Sequence, residues 1–151
     1  MSVVALITWI LTAAFGLFLL TIWLIEYDRD LQRAAATRLP VPVISAHALL
    51  ALAGLVVWVG YLVADSRQLA WTAVIILATV ATLGLIMAVR WIGVYRAFAA
   101  AKTGAGPGSP RAQSAIPPER NFPLPVVIAH GVFAVTTVTL VLLTALGVGG
   151  S

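Results

Sequence analysis

Four long uncharged stretches run along this chain, Val3 to Ile25, Val41 to Ala64, Leu69 to Val89 and Phe122 to Val148, and the charged residues fall between them. Each stretch exceeds the roughly 20 residues needed to cross a hydrocarbon core about 30 Å thick. None shows the ten-residue alternation of barrel strands, and backbone groups in lipid must pair within the segment, so the pattern predicts helices. The expected fold class is all-α: a polytopic membrane protein of one domain, residues 1–151, whose four transmembrane helices form an up-down bundle.

The pattern is written twice. Leu39-Pro-Val-Pro-Val-Ile-Ser-Ala-His47 and Phe122-Pro-Leu-Pro-Val-Val-Ile-Ala-His130 are nearly the same sentence, and His47 and His130 are the chain's two histidines. Each histidine stands seven residues after the first proline of a Pro-x-Pro pair. Gly16-Leu17, Trp23 and Tyr27 recur as Gly84-Leu85, Trp91 and Tyr95, every pair 68 positions apart, whereas the histidines are 83 apart. The chain therefore reads as two parallel two-helix repeats, 3–64 and 69–148, related by an axis along the membrane normal. The larger offset is absorbed by residues 101–120, whose Gly-Ala-Gly-Pro-Gly-Ser-Pro centre predicts a flexible cytoplasmic linker. Leu31 to Ala36 is expected to extend the first helix.

Composition supports the membrane reading: 62% of residues are hydrophobic and 9% charged, against nearly half and about a quarter in soluble domains. Charge sets the orientation. Arg29, Arg33, Arg38, Arg90, Arg96, Lys102, Arg111 and Arg120 flank the loops after helices one and three, and Arg67 alone lies in the other loop. By the positive-inside rule the two basic loops are cytoplasmic and both termini lie outside. The net charge of +4 then needs no nucleic acid partner; the lipid bilayer is the expected one. The first apolar run lacks a basic n-region and is long for a signal peptide, so it is expected to be retained.

The absence of cysteine excludes disulfides, thiolate metal sites, iron–sulfur clusters and covalent c-type haem within the chain. An ionisable residue inside a membrane is a functional candidate, and neutral imidazole is the commonest metal ligand. Both histidines should lie level, about 10 Å from the cytoplasmic edge at 1.5 Å per residue. On diagonal helices of a bundle they suit the two faces of one b-type haem. Gly54, seven residues after His47 on its face, leaves room for a flat ligand, and Arg90 is placed to meet a propionate. The bland alternatives are close helix packing for Gly54, snorkelling to lipid phosphate for Arg90, and interhelical hydrogen bonding for the histidines. Trp23, Tyr27, Trp91 and Tyr95 read as an aromatic belt, and the four prolines as helix starts. Only Met87 and Glu26 could add ligands to a dedicated transition-metal site. Asp65 lies too far from the histidines for a Ser-His-Asp arrangement.

Through Gly84-Leu85 with Arg90-Trp91, and through Glu119-Arg-Asn-Phe-Pro-Leu-Pro-Val-Val-Ile-Ala-His-Gly131, the chain resembles uncharacterised small four-helix membrane proteins of high-GC bacteria. The resemblance implies the architecture and a bacterial inner membrane, and assigns no ligand to any residue. The expected function is haem b held by His47 and His130, with Arg90 and Gly54 beside it, serving electron transfer to or from quinone or a partner subunit, without independent catalysis. Two alternatives stand: a cofactor-free accessory or assembly subunit of a homodimer or larger membrane complex, and a proton or small-solute pathway.

Overall fold

A computed structural model describes residues 1–29, 37–102 and 117–148. It contains four helices, α1 (Ser2–Arg29), α2 (Val41–Ala64), α3 (Arg67–Lys102) and α4 (Leu124–Ala145), with a 3₁₀ turn at Pro118–Asn121 before α4. All four helices are long and apolar enough to cross a membrane. Their exposed threonines fit such a setting, because the hydroxyls of Thr79, Thr82, Thr136 and Thr139 each donate to the carbonyl four residues back.

The duplicated Pro-x-Pro sequences fold alike. Pro40 (φ −62, ψ 125) and Pro123 (φ −66, ψ 121) are extended, and their carbonyls accept the first helical N–H groups, those of Val43 and Ile44 and of Val126 and Val127. Pro42 and Pro125 sit in the first turn, where a missing N–H leaves nothing unpaired. At its other end α2 stops on Asp65, in the left-handed region at φ 47, whose N–H closes on the Tyr61 carbonyl at 2.8 Å. The chain then reverses directly into α3.

Contacts across the bundle run Thr12 to Thr137, Gly54 to Ile76 and Trp58 to Ser2, so neighbouring helices alternate in direction. We call the end with the Asp65 reversal the turn end, and the opposite end the proline end. The packing is uneven: α1 lies closely along α4 and α2 along α3, α3 meets α4 less, and α1 meets α2 sparsely. The bundle is thus two tight helix pairs, α1/α4 and α2/α3, set face to face.

The core is split as well. At the turn end Ala5, Trp9, Trp58, Ala73, Leu77 and Val141 are among the residues that form one buried cluster; at the proline end Trp23, Leu39 and Ile44 form another. Between them lies a band with no buried residue on any helix, residues 10–22, 45–53, 81–90 and 124–136. Inward-facing positions there are half-buried, and we call this level the middle band.

The third helix runs on past the uncharged stretch to Lys102, and Trp91, Val94 and Phe98 share a face that packs beside the 3₁₀ turn: Trp91 and Val94 are buried and Arg120 lies over the Phe98 ring at 5.9 Å. Two expectations change. The linker expected over 101–120 ends earlier, because Pro118 and Glu119 are buried; residues 103–116 lie outside those described, as do Leu31 to Ala36. Trp23 and Trp91 do not form a lipid-facing belt. They turn inward, 4% and 6% exposed, and each stacks or leans on the tyrosine one turn on, at 4.6 Å for Tyr27 and 5.3 Å for Tyr95.

Candidate functional site

His47 and His130 meet inside the middle band. Their ring centroids are 6.3 Å apart and the ring planes are inclined at 60°. They come from diagonal helices, so each imidazole belongs to a different tight pair.

Each ring is fixed by its own pair partner. His130 Nδ1 lies 2.9 Å from the Thr12 carbonyl oxygen on α1, and His47 Nδ1 lies 3.0 Å from the Val80 carbonyl oxygen on α3. A carbonyl only accepts, so both Nδ1 atoms carry the proton, and in the neutral ring Nε2 holds the lone pair. Neither Nε2 has a hydrogen-bond partner among the described residues. No buried polar side-chain atom there lacks a partner either, so each Nε2 borders accessible space.

Glycines make this approach possible. A Cβ on Gly16 would stand 3.0 Å from His130 Cε1, and one on Gly84 would stand 3.1 Å from His47 Cε1. Gly16 and Gly84 are 68 positions apart, and so are Thr12 and Val80, whose carbonyls face the same rings. A helix carbonyl and, one turn on, a bare backbone together form a cradle for one imidazole, and the fold makes that cradle twice.

The donors suit a metal bound through two imidazoles. Metal–nitrogen bonds of about 2 Å place two such ring centres about 6 Å apart, near the separation found. Fixing Nδ1–H on a carbonyl is also the usual way a ligating histidine is oriented. Among the described residues no group of three or more His, Cys, Asp or Glu side chains gathers to hold an ion alone. A haem supplies its own four equatorial nitrogens and asks the protein for one ligand on each face. The two histidines, each oriented through Nδ1 in its glycine cradle, supply the ligand set that group asks for.

The other candidates fall elsewhere. Gly54 is buried at the turn-end cluster, where its bare backbone admits Trp9 and Ile76, each with an atom 3.0 Å from where a Cβ would be. It serves helix packing there and does not face the histidines. Arg90, six residues beyond Gly84, is exposed at the proline end and its Nε donates to the Arg38 carbonyl at 2.9 Å. Met87 packs against the Trp23 cluster.

One residue escaped the sequence reading. Glu119 is fully buried, and its carboxylate accepts from the Arg38 N–H at 2.6 Å and the Thr37 hydroxyl at 3.2 Å. Its counterpart 83 positions earlier is Ala36, so the repeat does not mark it. The available signal was a lone acid just ahead of a Pro-x-Pro helix start, in a chain with five acidic residues. Compared with protein families, curated proteins and solved structures, the chain matches none.

Proposed function

We propose that this chain spans a bacterial inner membrane four times, as two parallel two-helix repeats with both termini outside, and carries one b-type haem between His47 and His130 for electron transfer to or from quinone or a partner subunit. The observation that carries the reading is the pair of imidazoles at 6.3 Å, each with Nδ1 committed to a backbone carbonyl, in the middle band of the bundle. A bound haem would supply the one-electron carrier. The protein's part is to hold both ligands in one tautomer, to exclude water with the apolar clusters on either side, and to offer Arg90 at the proline end as a partner for a propionate.

The basic residues support the orientation. Arg38, Arg90, Arg96 and Arg120 gather at the proline end and Arg67 stands at the turn end, as expected if the proline end is cytoplasmic. The test is an absorbance spectrum of protein made with ample haem. A reduced low-spin b-type spectrum is expected, and His47→Ala or His130→Ala should each convert it to high spin or lose the haem. Colourless, folded protein overturns the proposal, and survival of the low-spin spectrum in either variant overturns paired ligation.

A further inference from the structure

We propose that Glu119 is the positioning residue that sets the spacing of His47 and His130. The inference takes the histidine pair as the working site and does not depend on which ligand that pair binds. Each histidine is tied by Nδ1 to the helix it already packs against, so those bonds fix nothing between the two pairs. The middle band holds no buried residue, so the distance across it must be set by whatever fastens α1/α4 to α2/α3 above and below it.

At the turn end the fastening is mostly apolar: Trp9 meets Trp58 at 6.4 Å, and the Trp58 indole N–H donates to the Ser2 carbonyl. At the proline end it is polar and converges on Glu119. The carboxylate, on the lead-in to α4, accepts from Thr37 and Arg38, on the lead-in to α2. The Glu119 carbonyl accepts the Trp91 indole N–H of α3 at 3.1 Å. One residue of the α1/α4 pair thus holds both members of the α2/α3 pair. Thr37 relays the same tie to α1, its Oγ1 accepting the Trp23 indole N–H at 3.3 Å. Arg90 completes the clasp by donating to the Arg38 carbonyl, so residues 37–39 are gripped from α1, α3 and the start of α4.

The geometry makes the carboxylate hard to replace. Both of its oxygens are used, it is fully buried, and removing it would take from the part-buried Arg38 N–H its acceptor. From this clasp to each histidine the chain passes through a short rigid start fixed by proline, so a shift at residues 37–39 or 119 is carried to the rings instead of being absorbed.

The absence of cysteine permits a direct test. Leu49 and Val132, each two residues beyond a histidine and 68% and 59% exposed, can be changed together to cysteine and spin-labelled, and the distance between labels measured by pulsed electron resonance. The parent should give one narrow distribution. Glu119→Ala should broaden and displace it, Glu119→Gln should largely restore it because the amide oxygen still accepts from Arg38 N–H, and Glu26→Gln should leave it unchanged. If Glu119→Ala does not fold, Thr37→Val, which removes the partner of Oε2, should show the same displacement. A distribution that stays at the parental distance in whichever of these two variants folds overturns the proposal, even if thermal stability falls. The measurement needs no haem, so it stands apart from the spectrum. Where haem is bound, the ferric resonance of Glu119→Ala should also shift with the changed ring geometry.

Discussion

His130 rests on Gly16: its Cε1 stands 3.0 Å from the point where any larger residue would place a Cβ, while its Nδ1–H reaches the carbonyl of Thr12 one turn earlier. His47 stands in the same relation to Gly84 and Val80. The contact is with a ring held by a hydrogen bond, so the ring cannot yield without losing that bond.

Gly16→Ala and Gly84→Ala should therefore each displace one imidazole, costing about 1–3 kcal/mol by overpacking despite alanine's better helix propensity. In haem-loaded protein, either variant should lower the low-spin fraction. Gly93→Ala and Gly131→Ala meet nothing within 4 Å and should be neutral or slightly stabilising. Thermal unfolding in detergent, read together with the spectrum, compares the four. Equal effects at all four positions would remove the special role of the cradles.

Arg90 commits its Nε to the Arg38 carbonyl, leaving the outer nitrogens of the guanidinium for a second partner. If that partner is a propionate, Arg90→Leu removes a positive charge that favours reduced haem, and the midpoint potential should fall by tens of millivolts. Arg90→Lys should fall less, since it keeps the charge and loses the fork. Redox titration decides the matter: unchanged potential and haem affinity in both variants would leave Arg90 as a clasp residue only.

Trp23→Phe and Trp91→Phe keep an aromatic ring and delete one indole N–H each. The loss at Trp91 strips a donor from the buried lead-in to α4, and the loss at Trp23 strips one from Thr37. Each should cost about 1 kcal/mol, seen as a lower unfolding midpoint. A lipid-facing belt residue would show no such dependence on the N–H.

Reporter fusions test the orientation. A reporter at Gly106 should be cytoplasmic and one at Ser66 external. The opposite result would move the histidines to the outer leaflet and reverse the proposed topology.

The helices were legible because uncharged apolar runs of this length without strand alternation favour a helix, and α2 keeps the boundaries that its prolines and Asp65 dictate. The end of α3 was less so. Its amphipathic tail, with Trp91, Val94 and Phe98 on one face, breaks the uncharged run at Arg90 without breaking the helix. Of the site, the histidines were visible as a duplicated irregularity, but their cradles depend on which helix lies beside which, and offsets of 68 and 83 do not state that. Gly54 kept two readings for the same reason, since a small residue on the histidine face fits a ligand or a neighbouring tryptophan equally well, and the structure shows the tryptophan. Glu119 was hidden because its partners are backbone and hydroxyl groups some 80 positions earlier, and no local pattern announces them.

Each cradle takes its histidine from one half of the sequence and its glycine from the other. A chain ending at Ala64 would hold His47 and Gly16 yet could not bring them together in this way; a second identical copy, supplying its own Gly16 where Gly84 now stands, could. The two contacts, Gly16 with His130 and Gly84 with His47, are thus reciprocal, as matching patches across a two-fold dimer interface are. Glu119 stands outside that reciprocity, since Ala36 occupies the matching place in the first half.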